Sequence, residues 1–328
     1  MGNNFFINVQ GGCGLNLAFA SFLVEAKKSH ADDKYYVCSP YYDIYECCPA
    51  VDGVYKPQEM RDFIFDCRDE GGTIINHRLY DMSDFIFKRL NYSQAWAQLF
   101  GYEWEDTEKG TKVKSVLNPY PKYPALKGMV DNVLKAIKDN KFKDFIIVQF
   151  TGGQSPLVQV PNGDWSKVPY DYQNEPLKRH YPIEKATEFC KLYHEKHPTT
   201  AIVNFGLPNE PCPDLPYVVK TVMPYLGWAE LAKNAKAAVC IDSSFQHLTA
   251  GMLDTTVIWA HSAPENFGYS YDTNVIQPCR KDDLLYFTQL GPSGAKVEYI
   301  EPSELLEIVD SKDRGVQYYK KDGKYIHD

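Results

Sequence analysis

Residues 237–268 read AAVCIDSSFQHLTAGMLDTTVIWAHSAPENFG, and this stretch decides the fold. Ala237–Ile241 is short, apolar and rich in β-formers, so it reads as a buried strand. Asp242-Ser243-Ser244 sets three good N-cap residues in a row. Phe245, Leu248 and Met252 fall on one face at helical spacing, which predicts a helix over Phe245–Leu253. Thr255–Ala260 is a second apolar strand and His261–Glu265 a loop. Strand, turn, helix, strand is the repeat of a parallel α/β sheet. Such a unit sets hydroxyls, backbone N–H groups and His247 at the mouth of the sheet. The partial positive charge of a helix N-terminus there suits a phosphate or diphosphate. The same spacing also describes an ordinary capped helix, with His247 in the core or in solvent.

The segment resembles one found in the heptosyltransferase-like glycosyltransferases, glycosyltransferase family nine. Those enzymes carry Asp-Ser-Gly-x-x-His-Leu-Ala-Ala after a strand. Here Asp242, Ser243, His247, Leu248 and Ala250 match, while Ser244 replaces the glycine and Thr249 the first alanine. The resemblance implies a GT-B fold, two Rossmann-like domains of α/β class facing across a cleft. It also implies a nucleotide-sugar site at Asp242, Ser243, Ser244 and His247.

The chain has 328 residues, 44% of them hydrophobic, enough for two domains with their own cores. No apolar run approaches the ~18 residues of a membrane span, and the start, MGNNFFINVQGG, lacks a signal-peptide pattern. The nine cysteines are odd in number and contain no CxxC pair, so free thiols in a reducing cytoplasm are expected, the host's if the gene is from a phage. The net charge of −8 argues against a protein that coats nucleic acid, because such binding rests on many phosphate contacts.

The N-terminal half opens with a strand, Phe5–Val9, a turn, Gln10–Gly14, and a helix over Leu15–Lys28. Glycines at such a turn let a ligand approach the backbone, which makes Gly12 and Gly14 donor-site candidates. As a dinucleotide fingerprint the turn fails. Leu17 stands where the third glycine belongs, and the second strand, Tyr35–Cys38, ends in Ser39-Pro40 without a ribose-binding acid. The family's turn carries a Gly-Asp pair whose aspartate is its presumed catalytic base. Here that pair is Gly14-Leu15, so a base must come from elsewhere. The candidates are Asp81 and Asp84, then Asp43 and His77, with Arg78 placed to keep a neighbouring carboxylate ionised. A solvated loop with an Arg–Asp pair is the alternative reading of residues 77–84. Phe63–Cys67 reads as a strand, Tyr92–Tyr102 as a helix and residues 113–116 as a lysine-bearing strand.

A proline-punctuated segment, Asn118–Pro124, precedes a helix over Leu126–Asn140, and a domain boundary is expected near residue 143. Residues 1–143 would form the acceptor-side domain and residues 144–328 the nucleotide-sugar domain. Phe145–Phe150 is a buried strand, followed by the glycine turn Thr151-Gly152-Gly153 and a long loop, Ser155–Pro176. Before the helix Ile183–His197 the family carries Lys-x-Trp-Pro. Arg179 aligns with that phosphate-binding lysine, beside Lys178, and Tyr181-Pro182 with Trp-Pro. Glu210 follows the strand Thr200–Phe205, in the loop where the family places a base- or ribose-binding residue. Asn274–Ile276 reads as the last strand, Glu301–Val309 as a helix and Tyr318–Asp328 as a polar tail.

Together these features predict a metal-independent inverting glycosyltransferase that takes a sugar from a nucleotide-diphosphate donor. No Asp-x-Asp pair ends a strand, so no metal and no cofactor beyond the co-substrate is expected. Two acceptors stay open, a surface or lipid-linked saccharide and a hydroxymethylated base in phage DNA. A flipped base needs a basic groove and aromatic walls, which Lys135–Lys143, Arg78 and the tyrosines of the long loop would supply. The alternative is a non-catalytic nucleotide-binding or structural protein with the same fold.

Overall fold

The apolar runs form strands covered on both faces, which is how a parallel sheet flanked by helices reads in sequence. The computed structural model describes residues 2–87, 90–106, 109–115, 117–152, 179–207, 210–260, 262–277, 297–311, 313–321 and 323–327. β1 (Asn4–Val9) leads into α1 (Cys13–Ser29), then come β2 (Lys34–Cys38), α2 (Tyr42–Glu46), β3 (Gly53–Tyr55), α3 (Met60–Asp69) and β4 (Thr73–His77). These four strands make one parallel sheet in the order β3-β2-β1-β4. Helices α4 (Ser83–Phe87), α5 (Tyr92–Phe100) and α6 (Leu126–Asp139) lead to the second sheet.

That sheet begins with β5 (Asp144–Gln149), followed by the two-residue β6 (Thr151–Gly152) and β7 (Arg179–His180) of a separate ribbon. Next in the chain are α7 (Ile183–Lys196), β8 (Thr200–Asn204), β9 (Val218–Lys220), α8 (Tyr225–Ala232) and β10 (Ala237–Ile241). Then come α9 (Ser244–Thr249), β11 (Asp254–Trp259), α10 (Pro264–Phe267), β12 (Thr273–Ile276), α11 (Pro302–Asp310), β13 (Gln317–Lys321) and β14 (Lys324–His327). Its order is β14-β13-β12-β11-β10-β5-β8-β9, parallel except for β14. Buried apolar side chains run on without a break from the first sheet through α1, α9 and α8 to the second. Each fully buried leucine or phenylalanine in that core stabilises the fold by about 1.5–3 kcal/mol.

Several elements differ from the sequence reading. Phe63–Cys67 lies in helix α3, not in a strand. Phe63 and Cys67, four apart, are buried, while Ile64 and Phe65 are 48% and 39% exposed, so the period is helical. Residues 113–116 add no described strand. The 111–115 segment instead ties to the second half, with Thr111 N–H donating to Gly268 O (3.1 Å) and Ser115 N–H to Ala250 O (2.7 Å). Helix α9 stops at Thr249, four residues short, because Gly251 takes a left-handed turn at φ +67°. The polar tail is a hairpin, β13–β14, that extends the sheet, so Asn274–Ile276 is not its last strand.

Candidate functional site

In an open α/β sheet the binding crevice lies outside the carboxyl ends of the strands, where the strand order reverses. In the second sheet the chain lays down β5, then β8 and β9 on one side and β10 to β13 on the other. The order therefore reverses between β5 and β10. Their ends are Gln149–Gly152 and Ile241–Ser244. A hydrogen bond joins them, from Ser243 Oγ to Gln149 Oε1. The same Oγ caps α9 by accepting from the Phe245 N–H at 3.1 Å. Asp242 and Ser243 are buried, and Ser244 is half-buried at the crevice.

Gly152 fits closely against this junction. A Cβ there would stand 3.1 Å from Ile241 Cδ1 and 3.6 Å from the Ser243 Cβ. Gly152 pairs with Arg179, and Thr151 with His180, so the ribbon brings the Arg179 backbone to the same place. The Arg179 side chain, Gly153, Lys178 and the loop 155–176 lie outside the described residues. Glu210 reaches the site from the loop after β8. Its carboxylate accepts from the Leu207 N–H at 2.8 Å and bonds the Thr151 side chain. Burial raises its pKa, and these two hydrogen bonds pull it down. Beside it opens a groove of about 390 Å³ lined by Asn204, Gly206, Leu207, Glu210 and Lys220.

In the first sheet the order reverses between β1 and β4. The turn after β1 is held by Asn16, which is fully buried. Its Nδ2 donates to Gly12 O at 2.9 Å, and its Oδ1 accepts from Ser39 Oγ at 2.7 Å and from the Tyr45 hydroxyl at 2.9 Å. A Cβ on Gly12 would meet nothing within 4 Å, so that face of the turn is open. Arg78 Nε, after β4, donates to Gln10 Oε1 at 3.3 Å, and Arg78 lies 3.7 Å from the exposed Asp81. Asp84 turns to α5, where it accepts from Gln98 Nε2 at 3.0 Å.

His77 does not face the crevice. Its ring is buried between Phe19 and Trp96, with centroids 4.4 and 5.4 Å away, and burial lowers its pKa to about 3. His247 is also buried. Its Nδ1 lies 2.9 Å from the Tyr269 hydroxyl, and its ring neighbours Tyr92 of α5. Gly14 of α1 packs on the same ring, so His247 and Gly14 meet where the two halves touch.

The fold matches known structures. A glycosyl transferase family 9 structure from Veillonella parvula DSM 2008 superposes with a TM-score of 0.62 at 11% identity, covering 94% of this chain and 96% of that one. The fold is that of the family 9 glycosyltransferases. A GT-B match also holds for E. coli ADP-heptose lps heptosyltransferase II, with a TM-score of 0.55, 10% identity, and 94% and 97% of the two chains covered. E. coli heptosyltransferase WaaC with ADP gives 0.51 at 11%, over 94% and 99%. No protein-family model matches the sequence, and no curated protein matches it. The GT-B architecture thus persists at an identity that shows the fold alone.

Within this GT-B frame, Thr151, Gly152, Glu210, Asp242, Ser243 and Ser244 come together at the switch point, while Gly12, Arg78 and Asp81 stand at the corresponding edge of the first sheet. Sequence reasoning passed over Gln149, Asn16 and Tyr225. Gln149 was legible as the polar end of the apolar run FIIVQ. Among the described residues no group of three or more His, Cys, Asp or Glu could hold a metal ion, and no helix is long and apolar enough to cross a membrane. Lys135 and Lys138 are exposed near the end of α6, and Lys141 and Lys143 lead into the start of β5. They therefore lie at the edge of the second sheet opposite the crevice.

Proposed function

We propose that the protein transfers a sugar from a nucleotide-diphosphate donor, held at the β5/β10 switch point, to a saccharide hydroxyl brought in by the N-terminal half. The observation that carries this reading is the joining of Gln149, Gly152 and Ser243 with Glu210 through Thr151, at a strand-order reversal in a GT-B fold. The diphosphate takes the Gly152/Ser243–Ser244 junction, with Arg179 in register beside it. The nucleoside lies toward Glu210 and its groove. Leaving-group charge is stabilised by these groups and by backbone N–H donors, without a metal.

A saccharide acceptor is favoured over DNA by the position of the lysine run. Lys135, Lys138, Lys141 and Lys143 lie at the sheet edge away from the crevice, so these lysines do not line an approach to it. Residues 1–143 would carry the acceptor and residues 144–328 the donor. Titration calorimetry with ADP, UDP, GDP and dTDP tests the donor site directly. One of them should bind, and nucleotide-sugar turnover should survive EDTA. Failure of all four to bind would remove the donor site.

A further inference from the structure

We propose that Asp43 is the general base for the acceptor hydroxyl, and that Tyr225, from the opposite half, is its positioning residue. This assignment rests on the transferase reading above. Asp43 lies in the first turn of α2, which follows the carboxyl end of β2, so it stands on the crevice edge of the first sheet. Tyr225 is the first residue of α8. That helix runs back toward the start of β10, which places its N-terminus on the crevice edge of the second sheet. The Tyr225 hydroxyl donates to Asp43 Oδ1, and the bond spans the two halves. The Ile44 N–H approaches the same oxygen at 3.1 Å. Oδ2 has no hydrogen-bond partner among the described residues. One carboxylate oxygen is therefore fixed and the other is open.

The surroundings suit this role. The groups whose charge Asp43 influences are Cys13 at the start of α1, Tyr41, Cys47, Tyr123 and Tyr225. Burial pushes the Cys13 and Cys47 thiols up to about 12, and raises the three tyrosine hydroxyls as well. At neutral pH these five neighbours are uncharged. A second bond, from the Tyr123 hydroxyl to Glu46, anchors α2 one turn further on, so the helix that carries Asp43 is held at two points. Of the other charged groups there, Lys122 lies 3.4 Å from Glu46, and Glu230 pairs with Lys233 at 2.5 Å.

In the transfer step the acceptor O–H gives its proton to Asp43 Oδ2 as its oxygen bonds to the anomeric carbon. The bond from that carbon to the phosphate oxygen breaks, and the nucleoside diphosphate leaves with the electron pair. The proton then passes to water. Because Tyr225 and Asp43 come from different halves, the base is aligned only while the halves are together, which couples closure to proton transfer.

The test measures nucleoside diphosphate release from a panel of ADP-, UDP-, GDP- and dTDP-sugars, with water in the acceptor's place. Asp43→Asn should lower release by about 10²–10⁴-fold while the calorimetric affinity for the diphosphate is kept. Asp43→Ala should regain release when formate is added, since the small carboxylate can occupy the vacated position. Tyr225→Phe should lower kcat roughly tenfold with the donor KM unchanged. Asp43→Asn releasing diphosphate like the parent, or formate failing to restore Asp43→Ala, overturns the base. An unchanged kcat in Tyr225→Phe overturns the positioning role. A parent protein that binds a diphosphate but consumes no sugar donor overturns the transferase reading, and the assignment falls with it.

Discussion

Gly14 in the first turn of α1 sits against the imidazole of His247 in α9, so close that a Cβ on Gly14 would stand 2.8 Å from Cδ2 of the ring and 3.1 Å from the Ser244 Cα. A glycine read in sequence as room for a ligand is here room for the other half of the protein. Gly14→Ala should cost about 1–3 kcal/mol of stability through overpacking. Gly12, two residues earlier, has extended backbone and open space around its Cα. Gly12→Ala should therefore stay within about 1 kcal/mol of the parent. Urea denaturation of both variants makes the comparison, and equal stabilities would contradict the close contact.

The Ser243–Gln149 hydrogen bond ties the ends of β5 and β10 together at the proposed donor site. Removing Ser243 takes this donor from the buried Gln149 Oε1, and removing Gln149 takes the acceptor from the buried Ser243 O–H. Ser243→Ala and Gln149→Ala should each weaken diphosphate binding by about 1–3 kcal/mol. Ser243→Ala also loses the cap on Phe245 N–H and should unfold more easily by about 1 kcal/mol. Calorimetry and thermal melts separate the two effects. An unchanged affinity in both variants would place the diphosphate elsewhere.

Much of this arrangement was legible in the sequence. The 237–268 unit predicted β10, a capped helix and β11, because apolar runs of strand length bounded by turn residues have few other readings. Asp242 to Ser244 lie where that unit placed them. Other parts were hidden for physical reasons. The run FIF inside α3 mimics a strand until one sees that its middle residues are the exposed ones. The hairpin at the end of the chain was signalled by Asp322-Gly323 between Tyr-rich alternating segments, a turn signal that the polar composition obscured. His77 and His247 carry the same functional-looking side chain as a catalytic histidine. Only their tertiary neighbours, Phe19 and Trp96 in one case and Gly14 and Tyr269 in the other, show where they are buried. The Asp43–Tyr225 bond joins residues 182 apart in the chain, which no local pattern encodes.

Asp272, before β12, is 1% exposed, and neither carboxyl oxygen has a hydrogen-bond partner among the described residues. Burial raises its pKa well above the ordinary value of 3.8, so the native state keeps its proton to a higher pH than the unfolded chain does. The unfolded chain releases that proton once the pH passes about 4. Stability from this group is thus full below that pH and is lost as the pH rises toward the folded value. Asp272→Asn cannot ionise and keeps the shape. At pH 8 it should melt higher than the parent, by a gain on the order of 1–3 kcal/mol. At pH 4 the difference should nearly vanish. A variant that melts lower than the parent at pH 8 would show that the carboxylate is satisfied in the native protein.

His77 gives the opposite slope. Its ring lies between Phe19 and Trp96, neither nitrogen meets a hydrogen-bond partner among the described residues, and burial lowers its pKa from 6.5 to about 3. The native state therefore holds it neutral at every pH above about 3. Below pH ~6.5 the unfolded chain takes up a proton that the native state refuses. The contribution is fully present above that pH and is lost as the pH falls toward the folded value, at a slope of up to about 1.4 kcal/mol per pH unit. Phenylalanine has a similar ring and no proton to gain, and its neighbours are already aromatic. His77→Phe should match or exceed the parent at pH 7.5, and its advantage should widen steadily between pH 6.5 and 4. Melting temperatures of the two proteins across that range give the measurement. Parallel curves would mean that His77 protonates as readily folded as unfolded, which would put its ring in contact with water and return it to the set of groups able to face the crevice.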